Sequence, residues 1–80
     1  MNRKLSEIAR DILQHWENPY FGAKPYIKAM LLINSAEPDA YYLFETAKDI
    51  VTYFLANATT FRGEDAKRIK AELKKQYNIK

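Results

Sequence analysis

Lys67, Lys70 and Lys74 stand at i, i+3 and i+7, a spacing that lines three ammonium groups along one edge of an α-helix. Arg68 and Lys75 widen that edge to an arc of roughly 160° at ~100° per residue, and Arg62 stands just ahead of it. Such an edge can track a phosphate backbone or sit on an acidic protein surface. It can equally be a solvated helix face. Glu64 and Arg68 have the favourable i, i+4 spacing, Glu72 is within reach of Arg68 or Lys75, and lysines in a last turn complement the helix dipole. Lysine-rich chemistry also weakens the case for base-specific readout, because bidentate contacts to guanine favour arginine. The charge is nonetheless local. Residues 62–80 hold seven Lys/Arg against three Asp/Glu, a net of +4, while residues 1–61 hold six against seven, a net of −1, which together make the chain's +3.

Tyr41 and Tyr42 are the second group of interest. They follow a loop carrying Glu37 and Asp39, where burying both rings is difficult. A tyrosine pair beside acids suits a protein interface, since tyrosine supplies contact area at low entropic cost. The other aromatic residues, among them Trp16, Tyr20, Phe21, Tyr26, Phe44, Tyr53 and Phe61, could stack nucleic-acid bases. Most fall on or beside apolar helix faces, so they are expected in the core. Arg62-Gly63 is either an exposed anchor beside the lysine edge or turn-and-cap chemistry with Phe61 in the core, and the second reading is favoured.

Nothing in the chain assembles into a reaction centre. His15 lies at the edge of an apolar stripe with no cysteine, second histidine or well-spaced carboxylate to complete a metal site. Asp11, Asp39, Glu45 and Asp49 make no convincing carboxylate pair, and no GxSxG, P-loop or HExxH pattern occurs. With no cysteine, disulfides are excluded. The expectation is a protein that is not an enzyme, holds no metal or cofactor, and acts by binding.

The elements that position these residues are read from apolar periodicity. Leu5, Ile8, Ala9, Ile12, Leu13 and Trp16 trace one face of a first helix over about 3–16, with Asn2 as N-cap, ended by Pro19. Gly22 supplies a turn, and Pro25 opens a second helix over about 24–34 that is apolar almost all round. That helix is either the centre of the fold or the seam of a homodimer. Leu43, Ala47, Ile50, Val51, Phe54, Leu55 and Ala58 form the stripe of a third helix, about 42–58. Gly63 caps a fourth, about 64–77, whose inner face is Ala66, Ile69, Leu73 and Tyr77. The fold class is therefore all-α: a single domain over 1–80, either a compact four-helix bundle or an orthogonal helical array. No apolar run approaches the ~18 residues of a membrane span, and Glu7, Arg10 and Asp11 interrupt any secretory signal. A cytoplasmic location is expected.

The segments Tyr20-Phe21-Gly22-Ala23-Lys24-Pro25-Tyr26 and Tyr53-Phe54-Leu55-Ala56-Asn57-Ala58-Thr59-Thr60-Phe61-Arg62-Gly63-Glu64 resemble small helical proteins of unassigned function from phages and prophages of Gram-positive bacteria. The resemblance brings no activity and no functional residue set. It implies a context, the host cytoplasm, in which proteins of this size often occupy a host protein, as anti-CRISPR proteins do, or bind DNA. The expected function is an interaction module that binds and blocks or redirects a host macromolecule. Its contact surface would comprise Arg62, Lys67, Arg68, Lys70, Lys74, Lys75, Tyr41 and Tyr42. The alternative is a small DNA-binding or regulatory protein that uses the basic face of the last helix.

Overall fold

A computed structural model describes residues 2–79. Residues 2–4 run extended, and α1 begins at Leu5 and ends at His15. Its first free N–H groups are satisfied from afar: Leu5 N donates to the Ser35 carbonyl (2.9 Å) and Ser6 N to that of Ile33 (3.0 Å). Glu7 accepts from the Lys4 N–H at 2.9 Å, so Lys4 takes the N-cap position expected of Asn2. The helix thus starts where the 33–35 strip supplies acceptors.

Pro25 stands in the first turn of α2, Lys24–Leu31, where its missing N–H leaves no bond unmade. Gly22 does not adopt a positive φ. It is needed for space, because an added Cβ would lie 2.6 Å from the Tyr20 ring and 2.8 Å from Asn57 Oδ1.

Between α2 and the third helix the all-α expectation fails. Tyr41–Tyr42 (β1) and Glu45–Thr46 (β2) pair antiparallel, Tyr41 opposite Thr46 and Tyr42 opposite Glu45, with Leu43 and Phe44 as the two-residue turn. Helix α3 begins only at Ala47 and runs to Ala56. The reason lies in its N-terminal hydrogen bonds. Ala47 N donates to the Ala40 carbonyl (2.7 Å) and Lys48 N to that of Pro38 (3.1 Å). Thr46 Oγ1 accepts from Asp49 N at 3.2 Å, which is N-cap geometry. With those donors satisfied by the loop, the chain before Thr46 is released from the helix and folds back as a hairpin.

Helix α4, Glu64–Gln76, opens at Gly63 as expected. Gly63 has φ 111° and ψ −179°, a region essentially closed to residues with a Cβ. An added Cβ would meet nothing within 4 Å, so any penalty is backbone strain alone. Gly63→Ala is expected to destabilise the fold by about 1–3 kcal/mol, read as a lower urea midpoint at unchanged slope.

The four helices hold just over half of the described residues, and the fold is mostly helical with one small hairpin. Helix α1 packs against α2 and α4, and α2 against α3, in a molecule of 28 × 26 × 21 Å. Leu5, Ile8, Ala9, Ile12, Ile50, Val51, Phe54, Ala66, Ile69, Leu73 and Tyr77 all lie in one core. Trp16 stacks on Phe61 (ring centroids 5.0 Å, 16° between planes) and meets Phe54 edge-on at 6.3 Å. Leu13 and Leu43 of the expected stripes stay outside, as do Leu32 at the end of α2 and four of the aromatic residues expected in the core, Tyr20, Phe21, Phe44 and Tyr53. No helix among the described residues is long and apolar enough to cross a membrane.

Candidate interaction surfaces

The basic edge of α4 divides into residues that hold the fold and residues that face water. Arg68 belongs to the first group. Its guanidinium donates to Asp11 of α1 (2.9 and 3.3 Å) and to Asp65 (3.1 Å). Glu72, expected to reach Arg68 or Lys75, is instead held by Arg3 at 2.6 and 2.8 Å, and Arg3 also reaches Asp11 at 3.0 Å. The result is a staple joining the N-terminal segment, α1 and α4. Hydrogen bonding from Arg68 and then Arg3 holds the Asp11 carboxyl down at about 2 against the opposing effect of burial. His15 sits at the end of this staple, Nδ1 3.0 Å from Asp11 and Nε2 3.5 Å from Asp65. Asp11, at i−4 on the same helix, is a partner that the spacing offers, whereas Asp65 comes from α4 and is visible only in the fold.

Lys70 is also withdrawn from the edge. Its ammonium donates to the Phe61 carbonyl at 2.6 Å and lies 5.7 Å from the centre of the Phe61 ring. Partial burial, then repulsion from Lys74 and Arg62, lowers its pKa. Arg62 is exposed, with Nε 3.3 Å from the Thr59 carbonyl. Lys67, Lys74 and Lys75 are exposed, and none has a carboxylate within 4 Å among the described residues. Of the six basic residues expected along the edge, Arg68 and Lys70 are engaged by the fold, and Arg62, Lys67, Lys74 and Lys75 face water.

The hairpin carries the stronger feature. Tyr42 leans onto the core and is half-buried, whereas Tyr41 is 71 % exposed. Beyond them Leu43 is 77 % and Phe44 96 % exposed. Leu43 has φ 60° while Phe44 is not in the positive-φ region, the pattern of signs of a type II′ turn, whose first position is normally glycine. A left-handed Leu costs about 1–2 kcal/mol. The turn therefore combines two unfavourable choices, backbone strain and a bare phenyl ring, at adjacent residues. Between the hairpin and α2 runs a groove of about 220 Å³ floored by Tyr26, Ala29 and Ile50. Glu45 is exposed beside the turn, and Glu37, Asp39 and Asp49 are exposed toward the base of the hairpin.

Leu43 and Phe44 are the candidate contact residues absent from the set expected from the sequence, because helical periodicity places them in the third helix. The available signal was Thr46 three residues before Asp49, an N-cap pattern that places the helix start later. Among the described residues no group of three or more His, Cys, Asp or Glu is placed to hold a metal ion. No protein-family model matches this chain, and neither the curated proteins nor the solved structures yield a match.

Proposed function

We propose that this chain is a non-enzymatic interaction module that binds a host protein and blocks or redirects it, with the hairpin turn as its anchor. The observation that carries the reading is the pair Leu43–Phe44, exposed at a strained turn. Strain of this kind persists where the surroundings impose it and clusters at ligand clamps, and aromatic residues, phenylalanine and tyrosine among them, are enriched in the cores of protein interfaces. The groove beside the turn supports it as well: it is mostly apolar, and Glu45 is the one charged residue lining it, so no acid and base meet there for chemistry. The host setting rests on the resemblance to small phage and prophage proteins.

The test uses capture from a nuclease-treated bacterial lysate with wild type, Phe44→Ala and Leu43→Gly. Wild type is expected to retain a protein, and both variants to lose it by at least tenfold, about 1.4 kcal/mol. Because Phe44 is exposed, Phe44→Ala should leave stability within about 0.5 kcal/mol of wild type. Leu43→Gly relieves the left-handed strain and should be at least as stable as wild type. Undiminished capture by both variants would sink the reading.

Lys67, Lys74 and Lys75, exposed and without a carboxylate within 4 Å among the described residues, favour a second reading in which α4 binds nucleic acid. Three phosphate contacts would give a log–log salt slope of about −3 on duplex DNA. Capture that disappears on nuclease treatment would select this alternative.

A further inference from the structure

A second apolar groove lies on the other side of α2, and it fits an element that this same chain presents. We propose that the groove between α1 and α2 receives the Leu43–Phe44 turn of a second copy, so that the protein self-associates head to tail. The groove is lined by Leu13, Pro19, Ile27 and Leu31, with Lys24 and Lys28 along it and no acidic residue in its walls. Its volume of about 250 Å³ falls below the roughly 300–1,000 Å³ of small-molecule sites. One or two apolar side chains fill such a space, and a two-residue turn ending in an almost fully exposed phenyl ring supplies them.

Charge selects the same pairing. Residues 18–34 contain two lysines, Lys24 and Lys28, and no Asp or Glu. Residues 35–49 contain Glu37, Asp39, Glu45 and Asp49 against Lys48 alone, a net of −3. Seating the turn in the groove brings Glu45, adjacent to Phe44, toward Lys24 and Lys28, with the rest of the segment's negative charge behind it, an attraction that also orients the encounter. The 220 Å³ groove beside the turn offers the other arrangement, in which two copies exchange Phe44 about a two-fold axis. Glu45 lines that groove, so the two-fold pair would set each copy's Glu45 against the other's, and like charges disfavour it.

The geometry fixes the kind of assembly. Pro25, Tyr26 and Ala29 face the hairpin, whereas Lys24, Ile27, Lys28 and Leu31 line the second groove. At ~100° per residue these sets point roughly 160° apart around α2. A turn on one side and its receptor on the other make a heterologous contact, which propagates rather than closing on a pair. One turn in one groove buries far less than the roughly 1,200 Å² of a stable interface, so the contact is weak and concentration-dependent. It does not require that the turn have a foreign partner.

Sedimentation of the purified protein from about 5 µM to about 1 mM spans the range where weak contacts of this size populate. Wild type should gain mass steadily with concentration. Phe44→Asp, which keeps the groove and loses the turn, and Lys24→Glu/Lys28→Glu, which keeps the turn and loses the groove, should each stay monomeric. Mixed in equal amounts, the two variants retain one competent contact between them and should give a doubled mass and nothing larger. All three substituted positions are exposed, and far-UV circular dichroism of each variant should match wild type. A wild type that stays monomeric to the top of the range overturns the proposal. So does a mixture that fails to pair, or a lysine double variant that associates as wild type does, the result a two-fold Phe44 exchange would give. No lysate component enters the measurement, so its failure leaves the turn's role toward a host protein standing.

Discussion

Phe61→Ala is expected to cost about 3–5 kcal/mol, the usual toll for emptying a buried aromatic site. An 80-residue domain has about 4–12 kcal/mol of stability in total, so the variant should be partly unfolded at 37 °C. Three features raise the cost toward the upper end. Phe61 is 1 % exposed and stacks face to face on Trp16, so its loss strips contacts from the largest side chain in the core. The Lys70 ammonium lies over the same ring and bonds to the same residue's carbonyl. Phe61 also precedes the Gly63 cap of α4 by two residues, so the cavity opens where α3 and α4 must stay joined. Urea unfolding followed by far-UV circular dichroism, which avoids the altered surroundings of Trp16, measures the effect. A loss under about 1 kcal/mol would mean that Trp16 and Phe54 close the gap and that the stack contributes little. The comparison with Phe44→Ala isolates burial as the cause, because the same chemical deletion at an exposed site should be almost silent.

Phe61 also shows which parts of this fold are legible in the sequence. Its place in the core, like those of Trp16, Ile69, Leu73 and Tyr77, follows from helical periodicity and from a glycine cap two residues on. Those signals are local, and local signals survive folding when the whole helix is long enough to express them. The two strands give no such signal of their own, and only the Thr46–Asp49 cap spacing marks where the helix after them begins. Strands of two residues are too short for alternation to register, and Leu43 happened to fall in phase with the stripe of α3. What overrode the periodicity was a non-local supply of hydrogen-bond acceptors, the Pro38 and Ala40 carbonyls together with the Thr46 hydroxyl.

Which charges of the basic edge are paired is not legible in the sequence, for a related reason. Helical spacing correctly puts Lys67, Lys74 and Lys75 in water. It cannot see that Asp11, 57 residues away, takes Arg68, or that Arg3, 69 residues away, takes Glu72. Arg68 bonds Asp11 of α1 and Asp65 of its own helix rather than Glu64, and Asp11 is mostly shielded from water, so each bond to it is less screened. Composition therefore identified the charge excess, and only the packing of α1 on α4 shows how much of it remains available to a partner.

That staple leads to the second large effect, an acid-dependent loss of stability centred on Asp11. Its carboxyl is depressed from 3.8 to about 2 in the folded chain, chiefly by the hydrogen bond from Arg68. A depressed folded-state pKa contributes stability that is complete above the unfolded value, near pH 4, and that is lost as pH falls through the folded value. At 1.36 kcal/mol per unit the upper bound is about 2.5 kcal/mol. Arg68 is half exposed, so screening reduces this to about 1–2 kcal/mol. Asp11→Asn removes the charge while keeping the shape. It leaves Arg3 to Glu72 and Arg68 to Asp65, and it takes from His15 its nearer carboxylate. At pH 7 the variant should be less stable by that amount, a melting temperature lower by roughly 4–16 °C for a domain of this size. The other carboxylates titrate in both proteins, so the informative quantity is the gap between the two stability curves. The gap should be constant from pH 7 to about pH 5, roughly halve by pH 3, and close below pH 2. Urea titrations of both proteins across that range measure it directly. A gap that persists unchanged at pH 2 would place the cost of Asp11→Asn in lost packing rather than in charge, and the Arg3–Asp11–Arg68 staple would then hold α1 to α4 by shape alone.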